Sequence, residues 1–120
     1  MGRRKIEPIF RQRLVIEGDY NGIVTPNIIR NYMRGLSRLL NMTIVFGPRV
    51  MNRCEKINPK HKGFEAVMVW AESGCQLYSW ELYKFITIDI YCCHPFDAKI
   101  ANNYTAIFFD MKKSKIRQIK

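Results

Sequence analysis

Acidic residues are scarce in this sequence. Ten Asp and Glu stand against 20 Lys and Arg in 120 residues, a formal net charge of +10. The 48% hydrophobic content nevertheless excludes a disordered polyelectrolyte. Long apolar runs are also missing: no stretch approaches the ~20 residues that cross a bilayer as a helix, so no membrane role is expected. Histidine is reduced to His61 and His94, and Cys54, Cys75, Cys92 and Cys93 form no C-x-x-C pair. Adjacent Cys92 and Cys93 point to opposite faces of a strand, which makes them poor co-ligands. No metal site is expected, and the thiols read as reduced. The sequence has neither a P-loop nor a G-x-G-x-x-G, and no Ser-His-carboxylate set can be assembled. So short a chain also cannot be a TIM barrel or a two-domain dinucleotide enzyme. One domain over residues 1–120 is expected.

The start, Met1-Gly-Arg-Arg-Lys5, is basic, but Glu7 and Pro8 follow where a secretory signal needs an apolar core. Ile6 stands where a myristoylation signal wants Ser or Thr. The expectation is a cytoplasmic protein. Its positive charge is uneven, with 12 basic and 4 acidic side chains in residues 1–60 against 8 and 6 in residues 61–120. The ends, residues 1–10 and 112–120, are basic, carrying Arg3, Arg4 and Lys5 at the front and Lys112, Lys113, Lys115, Arg117 and Lys120 at the back. Solvated termini are the plain reading of these charges. The sharper one is a polyanion-binding surface, so nucleic acid is a candidate partner on charge alone, unaccompanied by any recognition motif.

Hydrophobic periodicity supplies the elements. Residues 13–17, Arg-Leu-Val-Ile-Glu, read as a strand and end at the turn signal Gly18-Asp-Tyr-Asn-Gly22. Thr25 is a good N-cap with Pro26 at the first helical position. Ile28, Ile29, Tyr32, Met33, Leu36, Leu39 and Leu40 then recur at helical spacing, with Arg30, Arg34 and Arg38 on the opposite face. Strands are expected at 42–46 (broken by Gly47-Pro48), 64–72, 76–80 and 85–92, the last apolar enough to be central. Residues 52–63 form the one long polar loop. Pro95-Phe96-Asp97 opens a second helix, and residues 115–119 make a final strand. The order β-α-β-β-β-β-α-β implies an α+β two-layer sandwich: a mostly antiparallel sheet with two helices on one face. The bare face retains apolar residues, so a homodimer through sheet contact is expected.

The densest group of reactive residues is Ala71-Glu-Ser-Gly-Cys-Gln-Leu-Tyr-Ser-Trp80, followed by Asp89-Ile-Tyr-Cys-Cys93. Read with the segment order, it resembles the short, bacterial and archaeal form of the S-adenosylmethionine (AdoMet) decarboxylase family. That family shows a strand ending Ala-Glu-Ser-His, a His-Thr-Trp-Pro-Glu strand and an Asp-hydrophobic-aromatic-x-Cys strand. Ala71-Glu72-Ser73, Ser79-Trp80 and Asp89 to Cys93 match in order and spacing, and the resemblance covers most of residues 11–119.

The resemblance implies decarboxylation of AdoMet, or of a related amine-bearing small molecule, for polyamine synthesis. The cofactor would be a pyruvoyl group made from Ser73 by cleavage of the Glu72–Ser73 bond; its carbonyl captures the substrate amine and acts as the electron sink. Cys93 would be the acid that protonates the product carbanion, and Trp80 and Phe64 would lie near the substrate. Five positions depart from the pattern. Tyr78 replaces the processing histidine, Gly74 the histidine after the serine, Glu65 the processing serine, and Glu81-Leu82 the Pro-Glu. A tyrosine, with an ordinary pKa of about 10, is a weak base at neutral pH. The alternative is therefore an unprocessed AdoMet-binding protein with no cofactor. Its carboxylates and aromatic faces would suit a sulfonium, and it would act as an AdoMet-degrading lyase yielding methylthioadenosine and a lactone, or as a non-catalytic regulatory paralogue.

Overall fold

The computed structural model describes residues 9–53 and 58–119. Cys54 and the basic side chains Arg3, Arg4, Lys5 and Lys120 lie outside the described residues. Six strands and two helices follow in the order β1 (Gln12–Asp19), α1 (Pro26–Leu39), β2 (Ile44–Asn52), β3 (Phe64–Trp70), β4 (Ser73–Trp80), β5 (Phe85–Cys92), α2 (Ala98–Phe108) and β6 (Ser114–Ile119). The strands form one sheet in the order β2-β3-β4-β5-β1-β6, and each pairs antiparallel to its neighbours. This is the expected α+β sandwich. β5, expected from its apolar run to be central, lies in the sheet interior between β4 and β1, where both of its edges are paired.

α1 begins as its sequence dictates. The Thr25 hydroxyl accepts a hydrogen bond from the Ile28 N–H at 3.2 Å, and Pro26 fills the first turn, where a missing N–H costs nothing. Its apolar stripe, Ile29, Tyr32, Met33 and Leu36, is fully buried against Leu14, Ile16, Met68, Leu77, Ile88 and Ile90 of the sheet. Each such side chain contributes about 1.5–3 kcal/mol relative to exposure. A polar clasp fixes the helix on β3: the Ser37 hydroxyl donates to the Met33 carbonyl at 2.7 Å and accepts from the buried Trp70 Nε1 at 2.8 Å. Asp97 caps α2, its carboxylate accepting from the N–H groups of Lys99 and Ile100. α2 packs on α1 through stacked Tyr32 and Tyr104, whose centroids are 5.4 Å apart. The Tyr104 hydroxyl lies against Gly35 and leaves no room for a Cβ there.

Three boundaries differ from the sequence reading. β2 does not stop at Gly47-Pro48 but continues to Asn52, with one register shift against β3 before that dipeptide and one across it. Proline is tolerated because β2 is an edge strand, where its missing N–H faces no partner, and irregular pairing absorbs the distortion. β3 ends at Trp70, and β4 starts at Ser73, earlier than the expected residue 76. The turn between them is Ala71-Glu72, with Glu72 in the left-handed region at φ 59°. The long loop is shortened at its start by β2 and contains a 3-10 turn over Pro59–His61.

Candidate functional site

Strand alternation divides the sheet side chains into two faces. The helix-facing row of β4 and β5 is buried: Ser73, Cys75, Leu77, Ser79, Ile86, Ile88, Ile90 and Cys92. The bare face carries the polar and charged candidates of the inner strands. On it Glu65 lies opposite Tyr78, Tyr78 opposite Thr87, Gln76 opposite Asp89, and Asp89 opposite Val15.

The first cluster sits where β4 begins and β5 ends. Ser73 is 8% exposed, and its hydroxyl accepts a hydrogen bond from the Cys93 backbone N–H at 3.1 Å. Glu72, exposed and left-handed, supplies the peptide bond in front of it. The chain beyond Cys93 is held by the buried Gln12, whose amide donates to the Phe96 carbonyl at 3.1 Å and accepts from the Phe96 N–H at 3.2 Å. This clasp positions the β5–α2 connection, so that the half-buried Cys93 stays beside Ser73. The thiols on the helix-facing row are different. Burial pushes Cys92 up to about 12, and drives Cys75 higher still, with help from the charge of Asp89. They stay protonated and inert at neutral pH.

A depression of about 470 Å³ runs from this cluster across the bare face. Ser73 and Gly74 border one end; Arg13 and Arg117 border the other, with Asp89 and Tyr91 between them. The Arg13 guanidinium lies 4.8 Å from the Tyr91 ring centroid. Burial, and then the negative charge of Glu17, raise the Asp89 carboxyl above its ordinary range.

The second cluster lies at the other end of β4. Its centre is Arg53, a residue that the sequence reading left inside the polar loop. Its Nε donates to the His61 carbonyl at 2.6 Å, and a second guanidinium N–H donates to the Ser79 carbonyl. The same group stands 3.6 Å from the Glu65 carboxylate and 4.9 Å from the Trp80 ring centroid. Gly63 makes this possible, since a Cβ there would strike both the Ser79 carbonyl and Arg53. A glycine before a strand and an arginine ending the preceding one were the available signals, and neither is specific. Trp80 also tilts against Phe85, with centroids 5.7 Å apart, and borders a second hollow with Lys60, His61 and Tyr83. The Tyr78 hydroxyl donates to the Gln76 amide oxygen at 3.2 Å.

The expected site residues thus fall into two groups. Ser73, Glu72 and Cys93 come together; Glu65 and Trp80 come together around Arg53, and Tyr78 lies across from Glu65 in the β3–β4 pairing. Within one chain the groups are separated, since the five-residue step from Ser73 to Tyr78 along an extended strand spans roughly 17 Å, and that to Trp80 roughly 23 Å. Phe64 packs against the core, and its N–H donates to the Ser79 hydroxyl at 3.1 Å. Among the described residues no three His, Cys, Asp or Glu side chains gather as a metal site, and no helix is long and apolar enough to cross a membrane.

A crystal structure of the adenosylmethionine decarboxylase from Aquifex aeolicus VF5 superposes with a TM-score of 0.73 at 16% sequence identity, covering 94% of this chain and 91% of that one. At that identity the likeness is one of fold. No curated protein matches the sequence. The family model for S-adenosylmethionine decarboxylase matches residues 16–120, a span that contains all seven expected site residues. The chain belongs to the S-adenosylmethionine decarboxylase family.

Proposed function

We propose that this protein binds AdoMet, or a related amine-bearing small molecule, as a decarboxylase-like member of its family serving polyamine synthesis. The observation that carries the reading is the hydrogen bond from the Cys93 backbone N–H to Ser73, a residue that borders the bare-face depression. It ties the proposed cofactor precursor, at the start of β4, to the backbone of the residue that carries the proposed proton donor, just beyond β5. The residues at this end fit a pyruvoyl group derived from Ser73, because the hydroxyl is buried, bonded and directly preceded by the strained Glu72. Such a group supplies a carbonyl electron sink for loss of CO2. The chain's own contribution is to hold the Ser73 end, to keep a thiol at Cys93 for proton delivery, and to offer the aromatic ring of Tyr91 and the Asp89 carboxylate to a cationic substrate.

A homodimer through the bare face completes this reading. Phe46, Val69 and Ile119 are exposed there, as is expected of a face that a second sheet would cover. Two chains packed in opposite directions would carry the Ser73–Cys93 end of one towards the partner's Glu65 and the partner's Tyr78. Neither cluster is then a stranded half-site.

One observation favours a second reading. Glu65 is ion-paired with Arg53, and the Tyr78 hydroxyl is engaged with Gln76, so the two replacements for the family's processing helpers are both occupied. An unprocessed protein would bind AdoMet without a cofactor, as a lyase or as a regulatory paralogue. In the lyase, the substrate carboxylate would close onto the carbon bonded to sulfur. The C–S electron pair would leave with methylthioadenosine, and a lactone would remain.

The intact mass of the purified protein separates the readings. Two fragments meeting at Glu72 and Ser73, the second with a blocked N-terminus, are the result expected of the first. A single 14.2 kDa species would overturn it. Incubation with AdoMet then distinguishes a lyase, which releases methylthioadenosine without CO2, from a regulatory protein, which turns nothing over.

A further inference from the structure

The decarboxylase-like chemistry leaves the net charge of +10 unused, and the fold shows where part of it is concentrated. Arg30, Arg34 and Arg38 lie four residues apart on α1, which places them in one row along the helix with a rise of about 6 Å between successive members. The opposite side of the same helix, Ile29, Tyr32, Met33 and Leu36, is fully buried, so the row faces away from the sheet. Neither α1 nor α2 contains an acidic residue. Arg30 bonds only to the neutral Asn27 amide, at 2.7 Å, and among the described residues no carboxylate pairs with Arg34 or Arg38.

Surface helices ordinarily place acids at four-residue spacing from such arginines, because each pair stabilises the helix and neutralises it. Here three cations repel one another along two turns with no acid between them. The arrangement is self-destabilising unless a polyanion completes it. All three are arginines, whose planar fork grips phosphate oxygens through two parallel hydrogen bonds. A membrane surface is a poorer match. A helix lying in lipid headgroups inserts an apolar face, and the apolar face of α1 is already committed to the core. The row also lies on the layer opposite the bare sheet face, so it stays accessible when that face is covered.

We infer that the α1 arginine row, Arg30-Arg34-Arg38, docks the phosphodiester backbone of nucleic acid, at a site separate from the Ser73 depression. Contacts of this kind fix position without reading sequence, so binding is expected to be sequence-tolerant and strongly salt-dependent.

The test uses the full chain and fluorescence anisotropy, with labelled single-stranded RNA and duplex DNA oligonucleotides from 50 to 300 mM salt. Wild type should bind at least one of them and lose affinity steeply with salt. R30Q/R34Q/R38Q should bind at least tenfold more weakly at low salt, and its slope of log K against log salt should fall by about 2 to 3. Circular dichroism checks that the triple variant folds. Arg34→Gln alone, at an exposed position, should lower the slope by about 1 and provides the measurement if it does not. Equal binding by wild type and variants would overturn the inference, because the basic ends would then be responsible. So would failure to bind either oligonucleotide, or binding confined to anionic vesicles of phosphatidylserine and phosphatidylcholine.

Discussion

The Ser73 hydroxyl accepts a hydrogen bond from the Cys93 backbone N–H at 3.1 Å, joining the start of β4 to the residue just beyond β5. Ser73→Ala leaves that half-buried N–H without its partner. We expect the variant to fold with a loss of about 1 kcal/mol, read from the urea midpoint, and to show no fragmentation by mass. Fragmentation of the alanine variant at residue 73 would remove Ser73 from the chemistry.

Arg53 holds the other cluster by two carbonyls, one carboxylate and one indole ring. Arg53→Ala strips all four contacts from a largely buried site and should cost about 2–3 kcal/mol. Trp80 fluorescence should shift as its ring is uncovered, whereas the buried Trp70 should not report the change. Arg53→Lys restores the charge but not the planar fork, so it should recover only part of the loss.

Tyr78→His combined with Glu65→Ser replaces both occupied positions by the residues that the family pattern places there. The expected outcome is a larger fraction of chain cleaved between Glu72 and Ser73 than in wild type, measured by intact mass after equal incubation. No change in that fraction would mean that the obstacle lies elsewhere, with Gly74 the next position to restore.

Thiol reactivity should separate the cysteines. In a Cys54→Ser background, iodoacetamide at pH 8 should label the half-buried Cys93 in the native protein and reach Cys75 and Cys92 only after unfolding. The same burial has a consequence for stability. In the unfolded chain a thiol loses its proton near pH 8.5–9, while folded Cys92 keeps it up to about 12. Its folded-state pKa is raised, so this contribution is fully present below pH 8.5 and is lost as pH rises from about 9 to 12. Denaturant midpoints should therefore fall through that window, and fall less in Cys92→Ala relative to its own value at pH 7.

The bare face supplies a test of assembly. Val69→Lys places a charge on the surface proposed to meet a second sheet, at a position 40% exposed in the single chain. It should leave the fold intact and move the solution mass by light scattering from twice 14.2 kDa to 14.2 kDa. A wild-type protein that is already a monomer would sink the dimer.

The sequence alone determined α1, α2 and the α+β layering, because those depend on local rules. Thr25-Pro26 and Asp97 are caps whatever the chain does later, and a 3.6-residue apolar stripe needs one apolar layer to bury it. It also determined the family, through motif order and spacing at 71–80 and 89–93. What it left open depended on pairing between distant strands. β2 could run through Gly47-Pro48 only because the tertiary structure made it an edge. Arg53 became the centre of a cluster only because β2, β3 and β4 brought His61, Glu65, Ser79 and Trp80 around it, contacts of up to 27 residues' separation that no window of sequence contains. The tertiary structure likewise divided one continuous motif into two sites, since an extended strand carries residues 73 and 78 towards opposite ends of β4.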